Sequence, residues 1–280
     1  MGIDPVLEAE YNNRVRVPES AQIMARWQAA SAAYRATAKS ELDLSYDVGE
    51  RHKYDLFHPS NADPRAPLVI YVHGGYWQRG DRKDYSFVAR ELNARGIAVA
   101  IPSYPLCPDV TVSSIIADLQ VCTLALWERR QQRPVVVGHS AGGHLAACLI
   151  STDWDKIADV PRDLVRMAYS ISGVFELAPL VQTSLNAALK LDVNAAECAS
   201  PSQWRPPSSV TRFVASVGGL ESREFHRQSL ALAAQWRTAG VNATSVVVPD
   251  TNHFTIVDEL VRPGSDMLAT IMEMTQVSAE

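Results

Sequence analysis

The stretch Pro134-Val-Val-Val-Gly138-His-Ser140-Ala-Gly142-Gly-His-Leu-Ala-Ala147 decides how this chain reads. Three consecutive valines suit a buried strand, and the alanine-rich run that follows suits a helix. Between them stands G-x-S-x-G, the pattern of a nucleophile elbow, in which a serine occupies a tight strand-to-helix turn. Glycines two residues before and two after the serine let neighbouring backbone approach where a Cβ would clash. The bare pattern is common, and a Gly-rich turn used only for packing would share it. The strand before it and the helix after it favour the catalytic reading, with Ser140 as nucleophile.

Outward from this stretch, short β-rich runs alternate with longer helix-like ones. Strands are expected at Leu68–Val72, Ile97–Ile101, Val135–Val137, Val165–Ile171, Phe213–Val217 and Ser245–Val248. Val112, Ile115, Ile116, Leu119, Cys122, Thr123 and Leu126 recur at helical spacing and mark the buried face of one crossover helix. Leu42 to Phe57 reads as two short strands around Gly49, an antiparallel edge. Together with the elbow, this alternation predicts an α/β-hydrolase fold, a mostly parallel central sheet flanked by helices. The expected organisation is one domain over residues 1–280, opening with a helical segment (1–40) whose clearest helix runs from Glu19 to Lys39. Residues 174–210 hold Pro179, Pro201, Pro206 and Pro207, too irregular for an ordinary crossover, and read as a cap over the site.

Composition excludes several function classes. A net charge of −5 and clustered basic residues nowhere in the chain argue against nucleic-acid binding. The 4 cysteines, Cys107, Cys122, Cys148 and Cys198, form no CxxC pair, and the expectation is reduced core residues. Asp4, Glu8 and Glu10 precede any basic residue and no apolar run follows, the reverse of a secretory signal, so a cytoplasmic location without membrane attachment is expected. The partner is then a small-molecule substrate, and a homodimer is an assembly the sequence permits.

A serine hydroxyl needs a base within hydrogen-bond reach and donors for the oxyanion. His73-Gly74-Gly75-Tyr76-Trp77 follows the strand Leu68–Val72, where this fold places its H-G-G oxyanion loop. The backbone N–H groups around Gly74, Gly75 and Tyr76 join that of Ala141 as expected donors. The same stretch is no phosphate loop, because Gly80 is followed by Asp81-Arg82 where a Walker motif needs Lys and then Ser or Thr. His253, in Pro249-Asp-Thr-Asn-His-Phe after the final strand, stands where the triad histidine belongs. His52, His58 and His226 read as structural or surface residues, and His73, His139 and His144 as loop-shaping ones. No H-E-x-x-H or similar spacing calls for a metal. The third member should follow the penultimate strand. Glu221 lies in that loop, Glu224 falls where the next helix begins and suits its dipole, and Asp250 is a further rival in the histidine's own loop.

These motifs carry a resemblance. H-G-G-Y-W at 73–77, G-H-S-A-G at 138–142 with H-L-A-A at 144–147, Ser172-Gly173, E-F-H-R-Q-S at 224–229 and His253-Phe254 resemble the kynurenine formamidase (arylformamidase) family, over residues 42–277. The H-G-G and G-x-S-x-G motifs are shared with hormone-sensitive-lipase-like esterases, whereas Tyr76-Trp77 and the E-F-H-R-Q-S helix are particular to the formamidases. The resemblance implies hydrolysis of N-formylkynurenine to kynurenine and formate without an organic cofactor. It differs at one position, the family carrying Asp where this chain has Glu221. The expected catalytic set is Ser140, His253 and Glu221, with Tyr76, Trp77 and Phe254 as substrate contacts, while Phe175 and Trp204, also candidate walls, read singly as ordinary core or cap packing. A broad carboxylesterase and a catalytically silent binding protein are the competing readings.

Overall fold

The run Leu68–Val72 is buried at every residue, as a strand covered on both faces must be. It lies mid-sheet in a computed structural model that describes residues 2–61 and 63–278. The chain enters through two short helices, α1 (Pro5–Tyr11) and α2 (Asn13–Arg16), and the longer α3 (Ser20–Thr37). Strands β1 (Ser40–Ser45) and β2 (Lys53–Phe57) then pair antiparallel. Next come β3 (Leu68–Val72), α4 (Ala89–Ala94), β4 (Ala98–Pro102), α5 (Val112–Arg130), β5 (Val135–His139), α6 (Ala141–Ile150) and β6 (Met167–Ile171). After α7 (Asn186–Leu189) and α8 (Val193–Cys198), the chain finishes with β7 (Arg212–Gly218), α9 (Arg223–Thr238), β8 (Asn242–Val248) and α10 (Asp266–Ser278).

The strands form one 8-stranded sheet in the order β1-β2-β4-β3-β5-β6-β7-β8, antiparallel at β1-β2 and β2-β4 and parallel elsewhere. This is the α/β-hydrolase arrangement. Alternate side chains feed two cores: Leu68, Ile70 and Val72 join one, Val69 and Tyr71 the other. Helix α5 buries the seven residues expected from its spacing, starts at Thr111, whose Oγ1 accepts from the Ser114 N–H at 3.1 Å, and ends at Gln131 in the left-handed region. The chain leaves β3 toward β4 on one side, while β5 lies on the other side of β3, so the sheet has a crevice at the carboxyl ends of these strands.

Departures from the sequence reading are local. Strand β4 begins at Ala98, since the Ile97 N–H bonds back to Leu92 O and its carbonyl accepts from Asn93 Nδ2. Strand β8 begins at Asn242, three residues earlier than expected, because pairing with β7 carries the weakly apolar Asn242-Ala-Thr into the sheet. Cys107, Cys122 and Cys148 are buried, but Cys198 is exposed at the end of α8, which corrects the expectation that all four are core residues. Residues 174–210 hold short helical pieces packed on the core through Val174, Phe175, Leu177 and Leu180. Among the described residues no helix is long and apolar enough to cross a membrane.

Candidate active site

Ser140 caps α6 with φ 57° and ψ −118°, a strained conformation for a residue with a Cβ. The turn is held because the Ser140 N–H donates to Ile171 O at 2.8 Å and because two glycines touch across it. A Cβ on Gly138 would lie 2.0 Å from Gly142 O, and one on Gly142 would lie 1.9 Å from Val72 O. No other residue type fits either position without moving a strand or the helix. The strain aims the Ser140 hydroxyl at His253, whose Nε2 is 3.0 Å from Oγ.

His253 follows β8 and is 4% exposed. Its Nδ1 is 2.6 Å from Glu221 Oε2, so a proton on Nδ1 is donated to the carboxylate and Nε2 is left to accept from Ser140. The ring packs against Phe225 at a centroid distance of 4.8 Å and against His139 at 4.9 Å. The His139 Nε2 lies 2.7 Å from the His253 carbonyl, and burial first, then the neighbouring His253, hold His139 well below the ordinary histidine range. A neutral His139 donates to that carbonyl and fixes the backbone of the His253 loop.

Glu221 ends a turn in which its own N–H bonds to Gly218 O. Its Oε1 accepts from the Gly218 N–H at 2.6 Å and from Ser172 Oγ at 2.5 Å, leaving Oε2 for the imidazole. Of the three acids considered, only Glu221 reaches His253. Glu224 instead accepts from Tyr11 Oη at 2.7 Å and Arg227 Nε at 2.8 Å. Asp250 is exposed, sits at φ 57°, and its side chain makes no hydrogen bond among the described residues. Ser172, itself at φ 53°, entered the sequence reading only as part of a motif.

Across the crevice, the loop after β3 places Tyr76 and Trp77 in consecutive left-handed conformations, φ 50° and 55°. Among the described residues the backbone N–H groups of Gly75, Tyr76 and Ala141 donate to no other part of the protein. His73 anchors the loop, stacked on Tyr104 at 4.4 Å and Tyr85 at 5.6 Å with Nδ1 2.8 Å from Gly74 O. Burial lowers its pKa to about 4, so it is a neutral part of the scaffold at neutral pH.

A cavity of about 340 Å³ opens at Ser140 and His253. Tyr76 and Phe254 line it, as do Trp27 and Tyr85. Trp77 does not: it is 0% exposed and meets the edge of His144 at 4.9 Å, because its left-handed backbone turns the indole into the core. Phe175 packs on Phe213, and Trp204 Nε1 donates to Cys198 O, so neither forms a wall. Ser184 and Leu185 are the part of residues 174–210 that reaches the cavity. The contribution least visible in the sequence is the N-terminal segment, which supplies Asn12, Asn13, Arg14 and Met24. It is tied down by Tyr76 Oη donating to Tyr11 O at 2.6 Å and by Gln228 Nε2 donating to Tyr11 Oη at 2.7 Å. Among the described residues no group of three or more His, Cys, Asp or Glu side chains is placed to hold a metal ion.

Comparison with known proteins matches residues 54–163 to the BD-FAE family model. The chain is 32% identical to a kynurenine formamidase of Salmo salar, covering 86% of this chain and 83% of that one. It is 30% identical to the kynurenine formamidase of Danio rerio, with the same coverage of 86% and 83%. Among solved structures it superposes on a candidate thioesterase from Silicibacter sp. TM1040 with a TM-score of 0.86 and 33% identity, over 97% of this chain and 100% of that one.

Proposed function

We propose that this chain, which belongs to the kynurenine formamidase family, hydrolyses the aryl formamide N-formylkynurenine to kynurenine and formate. The observation that carries the chemistry is the relay of contacts from Ser140 Oγ through His253 to Glu221, at 3.0 Å and 2.6 Å. In this reading Ser140 Oγ attacks the formyl carbon as its proton passes to His253 Nε2. Glu221 holds the Nδ1 tautomer and stabilises the imidazolium. The oxyanion is taken by the N–H groups of Ala141, Gly75 and Tyr76, with Gly74 shaping the loop. When the C–N bond breaks, His253 gives the proton to the arylamine nitrogen, leaving a formyl ester on Ser140. Water then attacks that ester, losing its proton to His253, and formate leaves as the proton returns to Ser140.

The aromatic lining of Tyr76, Tyr85, Trp27 and Phe254 supports an aryl substrate, and no organic cofactor enters these steps. The test is kcat/KM for N-formylkynurenine against p-nitrophenyl acetate, with Ser140→Ala as control. The formamide should be preferred, and Ser140→Ala should lose several orders of magnitude on both. Ester hydrolysis with an inert formamide would move the assignment to a carboxylesterase, and undiminished turnover by Ser140→Ala would remove the serine mechanism.

A further inference from the structure

The cavity at Ser140 holds polar groups that the hydrolytic steps do not use. Arg14 and Arg79 both line it, and among the described residues neither guanidinium is ion-paired with a carboxylate. Nearby acids are already engaged: Asp55 takes Arg82 Nε at 3.1 Å, and Asp81 faces Arg51 at 3.4 Å. Asp84, the acid in the cavity wall, accepts from Gln28 Nε2 at 3.1 Å instead. Burial and the neighbouring Arg14 lower the Arg79 pKa, as expected of a charge that lacks a counter-ion.

Asn13 adds a second, independent observation. It is 3% exposed and lines the cavity, yet among the described residues neither its Nδ2 nor its Oδ1 has a hydrogen-bond partner. Leaving such a group buried and unpaired is unfavourable, so the site is incomplete without a partner for it. Its neighbour Asn12 shows the contrast, with Oδ1 taking the Val15 N–H and Nδ2 donating to Glu8. Gln78 Nε2, also in the cavity wall, is likewise buried without a partner among the described residues. An unpaired cation and unpaired amide donors in one aromatic-lined cavity are complementary to a carboxylate, which accepts from both.

We propose that Arg79 and Asn13 receive a carboxylate carried by the leaving group of the substrate, so that the site selects anionic aryl amides or esters over neutral ones. The inference rests on Ser140 being the hydrolytic centre, but not on the formamide being the bond cleaved. Arg14, the second guanidinium in the cavity wall, supplements the positive field.

The experiment measures kcat/KM of the full chain for two matched pairs: N-formylkynurenine with its decarboxylated counterpart N-formylkynuramine, and 4-acetoxybenzoate with its methyl ester. The wild-type protein should prefer the carboxylate member. Arg79→Gln should reduce that preference about 10–100-fold, mainly through KM, the size of a charge-assisted hydrogen bond. Arg79→Lys should keep most of it, and Asn13→Ala should lower it further. Equal rates within each pair, or a ratio that Arg79→Gln leaves unchanged, overturn the proposal. If the formamides are inert while the esters show an Arg79-dependent preference, the formamidase reading fails and this one stands. If the formamides are hydrolysed without regard to the carboxylate, the reverse holds. Inertness toward both pairs overturns both.

Discussion

Ser172 donates its hydroxyl to Glu221 Oε1 at 2.5 Å, so the acid that meets His253 is held from its far oxygen by a residue on the adjacent strand end. The longer glutamate side chain gains a second anchor in the Gly218 N–H on the same oxygen. Removing the hydroxyl should loosen the carboxylate without touching the substrate. Ser172→Ala is expected to lower kcat roughly tenfold, in the range of a hydrogen bond to a charged group, with little change in KM. A loss confined to KM would place Ser172 in substrate binding instead.

The acid itself gives a sharper test. Glu221→Gln removes the charge that stabilises the imidazolium and selects its tautomer, and kcat should fall by up to about 10⁴-fold. Glu221→Asp restores the family's residue, but Ser172 and Gly218 are spaced for the longer side chain, so partial activity is expected. Asp250→Asn and Glu224→Gln should each cost far less. A silent Asp250→Asn beside a near-normal Glu221→Gln would move the acid to the histidine's own loop.

Tyr76 ties the N-terminal segment to the oxyanion loop through Tyr11 O. Tyr76→Phe keeps the aromatic wall and removes only that tie, so KM for the aryl substrate should rise several-fold while the fold is retained; one neutral hydrogen bond is worth about 1 kcal/mol. Proteolysis within residues 12–16 should accelerate in the same variant. Unchanged KM and unchanged cleavage would mean that the segment is held by its other contacts.

Three buried histidines, His73, His139 and His144, make the fold sensitive to acid. Burial lowers His73 and His144 from 6.5 to about 4. Between those values the unfolded chain binds protons that the folded chain excludes, so their stabilising effect is complete above about pH 6.5 and is lost progressively as pH falls toward 4. Each is worth on the order of 3 kcal/mol across that window. The urea midpoint should therefore drop between pH 7 and pH 4.5, and His144→Gln, which can still donate to Ala199 O, should flatten the dependence. A midpoint independent of pH over this range would show that these rings titrate normally.

The frame and the nucleophile are legible in the amino-acid sequence. The buried valines before Ser140, the alternation of β-rich and helical runs, and the glycines around the elbow are local signals, and strand and helix periodicities record them directly. The order serine, acid, histidine along the chain likewise follows from which strand each loop succeeds. The loop after the penultimate strand already points to Glu221, but the contact that fixes the acid, and the walls of the cavity, are matters of tertiary structure. Glu221, Glu224 and Asp250 are all carboxylates near the right strands, and what separates them is which one meets His253 while the others are engaged by Tyr11 and Arg227 or left to solvent. Trp77 reads as a cavity wall beside Tyr76 until its left-handed backbone sends it into the core. Asn13 and Arg79 lie far apart in sequence and share no motif. Only the folding of the N-terminal segment back over the crevice puts an unpaired amide and an unpaired guanidinium in one cavity, because burial and partnership are properties of distant contacts, not of neighbours in the chain.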